Sequence, residues 1–378
     1  VGDQLLQEVA SRLRAQVRAE DTLCRISGDE FMIILEHLRD STNVASTCDH
    51  VLAALVEPYQ IDGRMVQTSI SAGVALYPGD GDSVADLLRK ADTALFEAKQ
   101  AGRNTYRFFD AGMNRRVVEF VETRDALAQA VQNGEFELHY QPQIRLQDQA
   151  VVGAEALLRW RHPVKGLLGP GQFVSIAEQS GLIVPIGAWV LQQACQQMKA
   201  WVESGLPIKT LAVNLSAVQF RTGDIEKTVV DALADAQLSP ACLELELTES
   251  ILISDKDKAL GVLKRLKDRG LRLSIDDFGT GYSGMAYLKR FHVDKLKIDA
   301  SFAADVGKDP EDTAIVRAIL QVAQTLGLET TAEGVEQTET ATVLRDMGCT
   351  HIQGYVYAPP MPAEAFKAWV LGYRGRVL

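Results

Sequence analysis

From about Glu135 onward the chain repeats a short apolar run followed by a helical pattern, and this rhythm limits its fold more than any other feature. The expected strands are Leu138–Leu146, Val151–Leu158, Leu211–Leu215, Leu243–Leu247, Leu271–Ile275, Lys295–Ile298, Glu329–Ala332 and His351–Tyr355. Helical patterns such as PIGAWVLQQACQQMKAWVE and AIVRAILQVAQTLG separate most of them. Eight strands alternating with helices over about 240 residues predict an α/β fold closed as a TIM-like (β/α)8 barrel. A barrel of this kind builds its functional site at the C-terminal ends of the strands.

Polar residues fall at or just past those ends. They are Glu155 in EALLRW, Asn214 in AVNLS, Glu246 and Glu249 in ELELTES, Asp276 and Asp277 in SIDDFG, Glu333 in AEGVE and Gln353 in QGY. Lys297 in KLKID joins them. Ionised groups are almost never buried unpaired, so this set is not plain core. Gathered at one mouth, it makes a strongly negative site whose hard oxygen ligands suit magnesium or manganese.

Alternation places Glu244 and Glu246 on one face of a strand, and Glu246, nearer the end, is the better ligand. Asp276 and Asp277 are adjacent and could serve two cations, one bridging and one terminal. Metal pairs about 3.5–4 Å apart are a standard device for phosphate-ester cleavage. Lys297 would bring compact positive charge near the attacking water or the phosphate, and Arg159 could grip a phosphate oxygen.

The first part, to about residue 110, alternates helix and strand in a different order. GDQLLQEVASRLRAQVR is helical, and DTLCRISGDEFMIILE reads as two strands around the turn Ser27-Gly28-Asp29-Glu30. A helix over Val44–Val56 and strands near Tyr59–Ile61 and Val66–Leu76 follow. An amphipathic helix over Ser83–Gln100 has Asp82 or Ser83 as its N-cap and Gly102 just past its end. A last strand in NTYRFF precedes a charged helix over residues 111–134, which would join the domains stiffly. The domains are therefore expected over residues 1–110 and 135–378.

The net charge of −11 argues against a binder of DNA or RNA polymers, without excluding a smaller anionic ligand. The five cysteines, Cys24, Cys48, Cys195, Cys242 and Cys349, form no CxxC pair and read as free thiols in a reducing cytoplasm. No apolar run approaches a membrane span, so no membrane contact is expected from this segment. The chain opens at Val1 inside an expected helix and so reads as part of something longer, with any sensor or anchor upstream.

The segment from YQPQ at Tyr140 to PPMPAEAF ending at Phe366 resembles the EAL domains, phosphodiesterases that linearise the bacterial second messenger cyclic di-GMP. It carries EALLRW, NLSAVQF, ELTES, DDFGTGYS, LKID, AEGVE and QGY in order. The resemblance implies hydrolysis of cyclic di-GMP to linear pGpG by a two-metal site, with Mg2+ or Mn2+. One metal would be held by Glu155, Asn214, Glu246 and Asp276, the other by Asp276, Asp277 and Glu333. Glu155, Asp276, Lys297 and Glu333 would carry catalysis, with Lys297 orienting or activating the water. Gln353 would hold a water on the metal, and Gln141, Arg159 and Asp277 would contact the substrate. Glu249 would brace the loop DFGTGYSGMAYL, which in such enzymes couples homodimer formation to metal binding, and Glu336 would lie just outside the ligands. Tyr282-Ser283-Gly284-Met285 and Ala300 depart from the family pattern without removing a ligand. The alternative is a catalytically silent receptor that signals through dimer contacts.

Ser27-Gly28-Asp29-Glu30-Phe31, with VGDQLLQEVASRLR before it and ADTALFEAKQAGRN after it, resembles the later part of GGDEF domains, which condense two GTP into cyclic di-GMP. The family's opening strand and helix are not in this chain, and Ser27 replaces the first glycine, so the domain is expected to regulate, with GTP as its candidate ligand. Asp29 would be its remaining metal ligand, and Lys99 and Arg103 match phosphate-contacting positions. Arg18 and Asp21 match the RxxD product-inhibition site, or form a plain surface ion pair.

Overall fold

Leu5, Val9 and Leu13 recur at helical spacing along α1 (Gly2–Gln16), and this stripe builds the core of the first of two units, Val1–Glu122. The structure, a computed structural model, describes residues 2–37, 41–61, 64–109, 122–248, 256–279 and 292–375. The expected hairpin forms from β1 (Thr22–Ser27) and β2 (Glu30–Ile34), turning through Gly28 at φ 47° and Asp29. Val51 and Leu55 of α2 (Ser41–Val56) and Tyr59 and Ile61 of β3 (Tyr59–Ile61) complete the core. Arg12 fastens α1 to the end of α2: it donates to the carbonyls of Ala54, Glu57 and Pro58 and lies 3.8 Å over the Tyr59 ring.

The single strand expected over Val66–Leu76 is instead two pieces with different partners. β4 (Arg64–Val66) pairs antiparallel with β3, whereas β5 (Ala72–Val74) pairs parallel with β6 (Tyr106–Phe108). α3 (Val84–Gln100) packs on β5 so closely that a Cβ on Gly73 would lie 2.0 Å from the Ala91 carbonyl oxygen, so only glycine fits there. Of the two candidate caps, Ser83 caps α3, accepting the Asp86 N–H at 3.1 Å. Residues 111–121 of the expected joining helix fall outside the described residues; 122–130 are helical.

The second unit, Thr123–Leu378, is the barrel. Its strands are β7 (Phe136–Arg145), β8 (Val151–His162), β9 (Gly166–Leu168), β10 (Thr210–Leu215), β11 (Leu243–Thr248), β12 (Arg272–Phe278), β13 (Lys295–Ile298), β14 (Glu329–Ala332), β15 (His351–Ile352) and β16 (Met361–Pro362). Eight of them close in the order β7-β8-β10-β11-β12-β13-β14-β15, with β15 returning to β7. The expected barrel forms, but β7 runs antiparallel to both neighbours. The connection over 146–150 permits nothing else, because a parallel crossover needs about a dozen residues or more.

Helices coat the outside through apolar stripes. Ile183–Glu203 buries Ile186, Val190, Ala194 and Trp201, and Pro310–Leu326 buries Val316, Leu320 and Ala323. Among the described residues no helix is long and apolar enough to cross a membrane, and none of the five cysteines is in a disulfide.

Candidate active site

Each of the eight barrel strands delivers one polar side chain to a ring at the mouth. The strand register sets the order: Gln141 lies opposite Glu155, Ala212 opposite Glu155, Asn214 opposite Glu246, and Thr248 opposite Asp276. Lys297 sits at the penultimate position of β13, and Glu333 and Gln353 directly follow β14 and β15. The ring therefore reads Gln141, Glu155, Asn214, Glu246, Asp276, Lys297, Glu333, Gln353.

Lys297 is its hub. The side chain is 1% exposed, and its Nζ lies 2.6 Å from Glu333, 2.7 Å from Glu246, 3.0 Å from Asp276 and 3.8 Å from Glu155. One ammonium thus faces four carboxylates. Glu155 is held from both sides, accepting the Asn214 amide on Oε1 at 2.6 Å and the Gln353 amide on Oε2.

The shortage of positive charge is visible in the proton affinities. Burial, reinforced by Glu155, pushes Glu246 well above the usual carboxylate range. Burial also raises Glu333 to about 8 despite Lys297. Asp277 is raised to about 6 by desolvation and then by Asp276. Glu155 goes the other way: burial raises it, but Lys297 and the Gln353 and Asn214 amides outweigh that. Lys297, opposed only by its own burial, is held firmly protonated by the surrounding acids.

Adjacent strand residues normally point to opposite faces, so Asp276 and Asp277 should not act together. A one-residue bulge in β12 changes this: Ile275 lies opposite Leu296, but Phe278 lies opposite Ile298. Asp277 takes up the extra residue at φ 53° and donates its N–H to its neighbour's Oδ1 at 3.1 Å. Asp is among the few residues that tolerate this backbone region. As a result Asp276, Asp277 and Glu333 each offer an oxygen within 4.8 Å of the others. Hard carboxylate oxygens and a buried Glu246 Oε1 without a hydrogen-bond partner fit divalent magnesium or manganese.

The remaining expected residues divide. Arg159 lies on β8 four residues past Glu155, half-buried, with its guanidinium donating to the Leu158 carbonyl at 2.9 Å. Gln141 is buried and joined to Gln353 at 3.0 Å. Glu336 is exposed, and Ala300 begins a short helix capped by Asp299. Glu249 and the stretch Tyr282–Met285 lie outside the described residues. In the first unit Asp29, Lys99 and Arg103 are all exposed, and among the described residues no ion pair joins them. Asp21 is 7% exposed, with its oxygens taken by the backbone N–H groups of Arg18 at 2.8 Å and Glu36 at 3.2 Å. Asp21 therefore pins the chain around Arg18 rather than pairing with that residue's guanidinium.

Sequence reasoning missed a second polar layer beneath the ring. Lys295 and Glu244, both buried, pair at 2.8 Å, and Lys295 also reaches Gln143 at 3.3 Å. The period of two was the available signal, since Lys295 and Glu244 each precede a ring residue by two positions.

Comparison with known proteins matches residues 124–360 to the EAL domain model and residues 1–105 to the model for the diguanylate cyclase GGDEF domain. The bifunctional diguanylate cyclase/cyclic di-GMP phosphodiesterase MucR of Pseudomonas aeruginosa is 44% identical over 98% of this chain and 54% of its own length. The cyclic di-GMP phosphodiesterase NbdA of the same organism is 39% identical over 99% of this chain and 48% of its own. The chain thus spans about half the length of these relatives. A solved structure described as the PaMucR phosphodiesterase in complex with c-di-GMP is 44% identical, with a TM-score of 0.63 over 65% of this chain and 99% of that one.

Proposed function

The chain belongs to the EAL-domain family, and from that membership we propose that its barrel hydrolyses cyclic di-GMP to linear pGpG with two divalent metal ions. The observation that carries this reading is the ring itself: four carboxylates converge on one ammonium, and three of the mouth's acids, Glu246, Glu333 and Asp277, are pushed toward protonation. Such a surplus of negative charge is stabilised by added cations. The similarity to MucR supplies the substrate class.

Glu155, Asn214, Glu246 and Asp276 would hold one ion and Asp276, Asp277 and Glu333 the other. Bound there, Mg2+ or Mn2+ would supply Lewis acidity and neutralise phosphate charge. The reaction forms a bond from a water oxygen to phosphorus and breaks the bond to one ribose 3′ oxygen, which takes up a proton. Lys297, whose proton the surrounding acids hold in the metal-free protein, would orient or activate the water and stabilise charge on the phosphate. Gln141 and Arg159 would bind the dinucleotide, and Gln353 would hold Glu155 and a water in place. The rest of the assignment is that the first unit regulates the barrel with GTP as its ligand, that Asp29, Lys99 and Arg103 contact that ligand, and that Arg18 has a regulatory role. The same reading includes a cytoplasmic homodimer formed through the barrel, with Glu249 bracing the coupling loop.

Glu155→Gln preserves shape but removes a ligand charge. Loss of hydrolysis with an unchanged circular-dichroism spectrum is expected, and wild-type turnover would rule the assignment out.

A further inference from the structure

Three glutamine amides link the lower polar layer to the active-site ring, and their direction is fixed by chemistry rather than by placement. Lys295 can only donate, so the Gln143 atom it meets at 3.3 Å is the carbonyl oxygen. Gln143 must then present its NH2 to the Gln353 oxygen, at 3.1 Å. Gln353 in turn presents its NH2 to Glu155 Oε2 and, at 3.0 Å, to the Gln141 oxygen. Gln141 closes the series by donating to the Ala358 carbonyl at 3.1 Å. A donor-only group at one end and an acceptor-only group at the other impose the same direction. Lys295 is itself fixed by Glu244, which is fully buried and also 3.4 Å from Arg272.

We propose that Lys295 and Gln143 are positioning residues that fix which end of Gln353 faces Glu155, and so hold that carboxylate ready to bind metal. A free amide could turn its carbonyl toward Glu155 and repel it. The relay excludes that orientation from below the ring, through groups that touch neither metal nor substrate. The consequence for metal rests on the function proposed above; the consequence for Gln353 does not.

The test uses the full chain and Gln143→Met, which keeps volume but cuts the relay and leaves the Lys295–Glu244 pair intact. Thr331→Val is the control, since Thr331 is buried in a neighbouring strand with an unpartnered hydroxyl. Two quantities are read: Mn2+ affinity, from the free-ion paramagnetic resonance signal, and hydrogen exchange of the Gln353 side-chain amide by NMR. Gln143→Met should weaken Mn2+ binding about 10-fold, the lower end for groups that orient metal ligands, and speed the amide exchange, with Thr331→Val at wild type in both. Wild-type affinity and exchange in a folded Gln143→Met protein would overturn the proposal. If the wild type binds no Mn2+, the proposed function fails, and the amide exchange alone still decides the relay. Should Gln143→Met not fold, the paired change Lys295→Met with Glu244→Met removes the donor without stranding a charge and should speed the same exchange; unchanged exchange there would overturn the relay.

Discussion

The Lys297 ammonium and the Glu246 carboxylate meet at 2.7 Å with neither side chain more than 1% exposed. Such a pair is costly to break from one side, because Glu246 and the three other acids around Lys297 would be left crowded together without their cation. Lys297 therefore holds the ring together, besides the role in hydrolysis proposed for it. Lys297→Met should cost about 3–5 kcal/mol of stability in metal-free protein and abolish hydrolysis. Saturating Mg2+ should return part of that stability, because it replaces the missing positive charge. Denaturant midpoints with and without Mg2+ measure this; equal midpoints for variant and wild type would contradict it.

Metal-free stability should fall with rising pH. Glu333 is ordinarily near 4.5 and lies at about 8 when folded, so the folded state binds the extra proton between those values. The stability this contributes is full below the unfolded value and is lost as pH rises through the folded one. Glu246 is shifted in the same direction, and Asp277 gives up its share by about 6. Glu155, held low, acts only below this window. Urea midpoints should therefore be lower at about pH 8.5 than at about pH 5, and Mg2+ should narrow the gap because ligands release protons on binding. A midpoint that rises with pH in metal-free protein would contradict this.

Asp277 spends backbone strain to bring its carboxylate beside Asp276. Asp277→Gly keeps the left-handed turn and relieves a cost of about 1–2 kcal/mol, while removing a ligand oxygen. The variant should be at least as stable as wild type, and should bind Mn2+ more weakly and hydrolyse cyclic di-GMP more slowly. Calorimetry of folding and metal titration separate the two effects.

Asp21→Ala leaves two backbone N–H groups around Arg18 and Glu36 without acceptors. About 1–3 kcal/mol of destabilisation confined to the first unit is expected. Hydrogen exchange faster over residues 14–36, with the barrel unchanged, is the readout; a global loss would mean the two units do not unfold separately.

Much of the barrel was legible because its signals are local. The bounds Lys295–Ile298 and Glu329–Ala332 were read as they stand, since each is a short run ended by a polar group and a turn. The ring was legible because most of its polar residues fall at or just past strand ends, where the apolar run of a core strand stops. The antiparallel course of β7 departs from the regular repeat, and its signal is the five-residue gap over 146–150, too short for a parallel crossover. The bulge at Asp277 was not readable, since alternation alone sends neighbouring residues to opposite faces. The Gln143–Lys295–Glu244 layer was legible only as a period of two, Glu244 with Glu246 and Lys295 with Lys297; its pairing was not, since the partners lie across the barrel, more than 50 positions away in sequence. The two strands replacing the expected run over Val66–Leu76 differ in their partners, and pairing is not a local property.

The most direct test is chromatography of cyclic di-GMP after incubation with the purified chain and Mg2+ or Mn2+, with EDTA in a parallel sample. Conversion to pGpG that EDTA abolishes is the predicted result. Intact cyclic di-GMP in the presence of a folded, ligand-binding protein would contradict the account and leave the ring of acids as a receptor site.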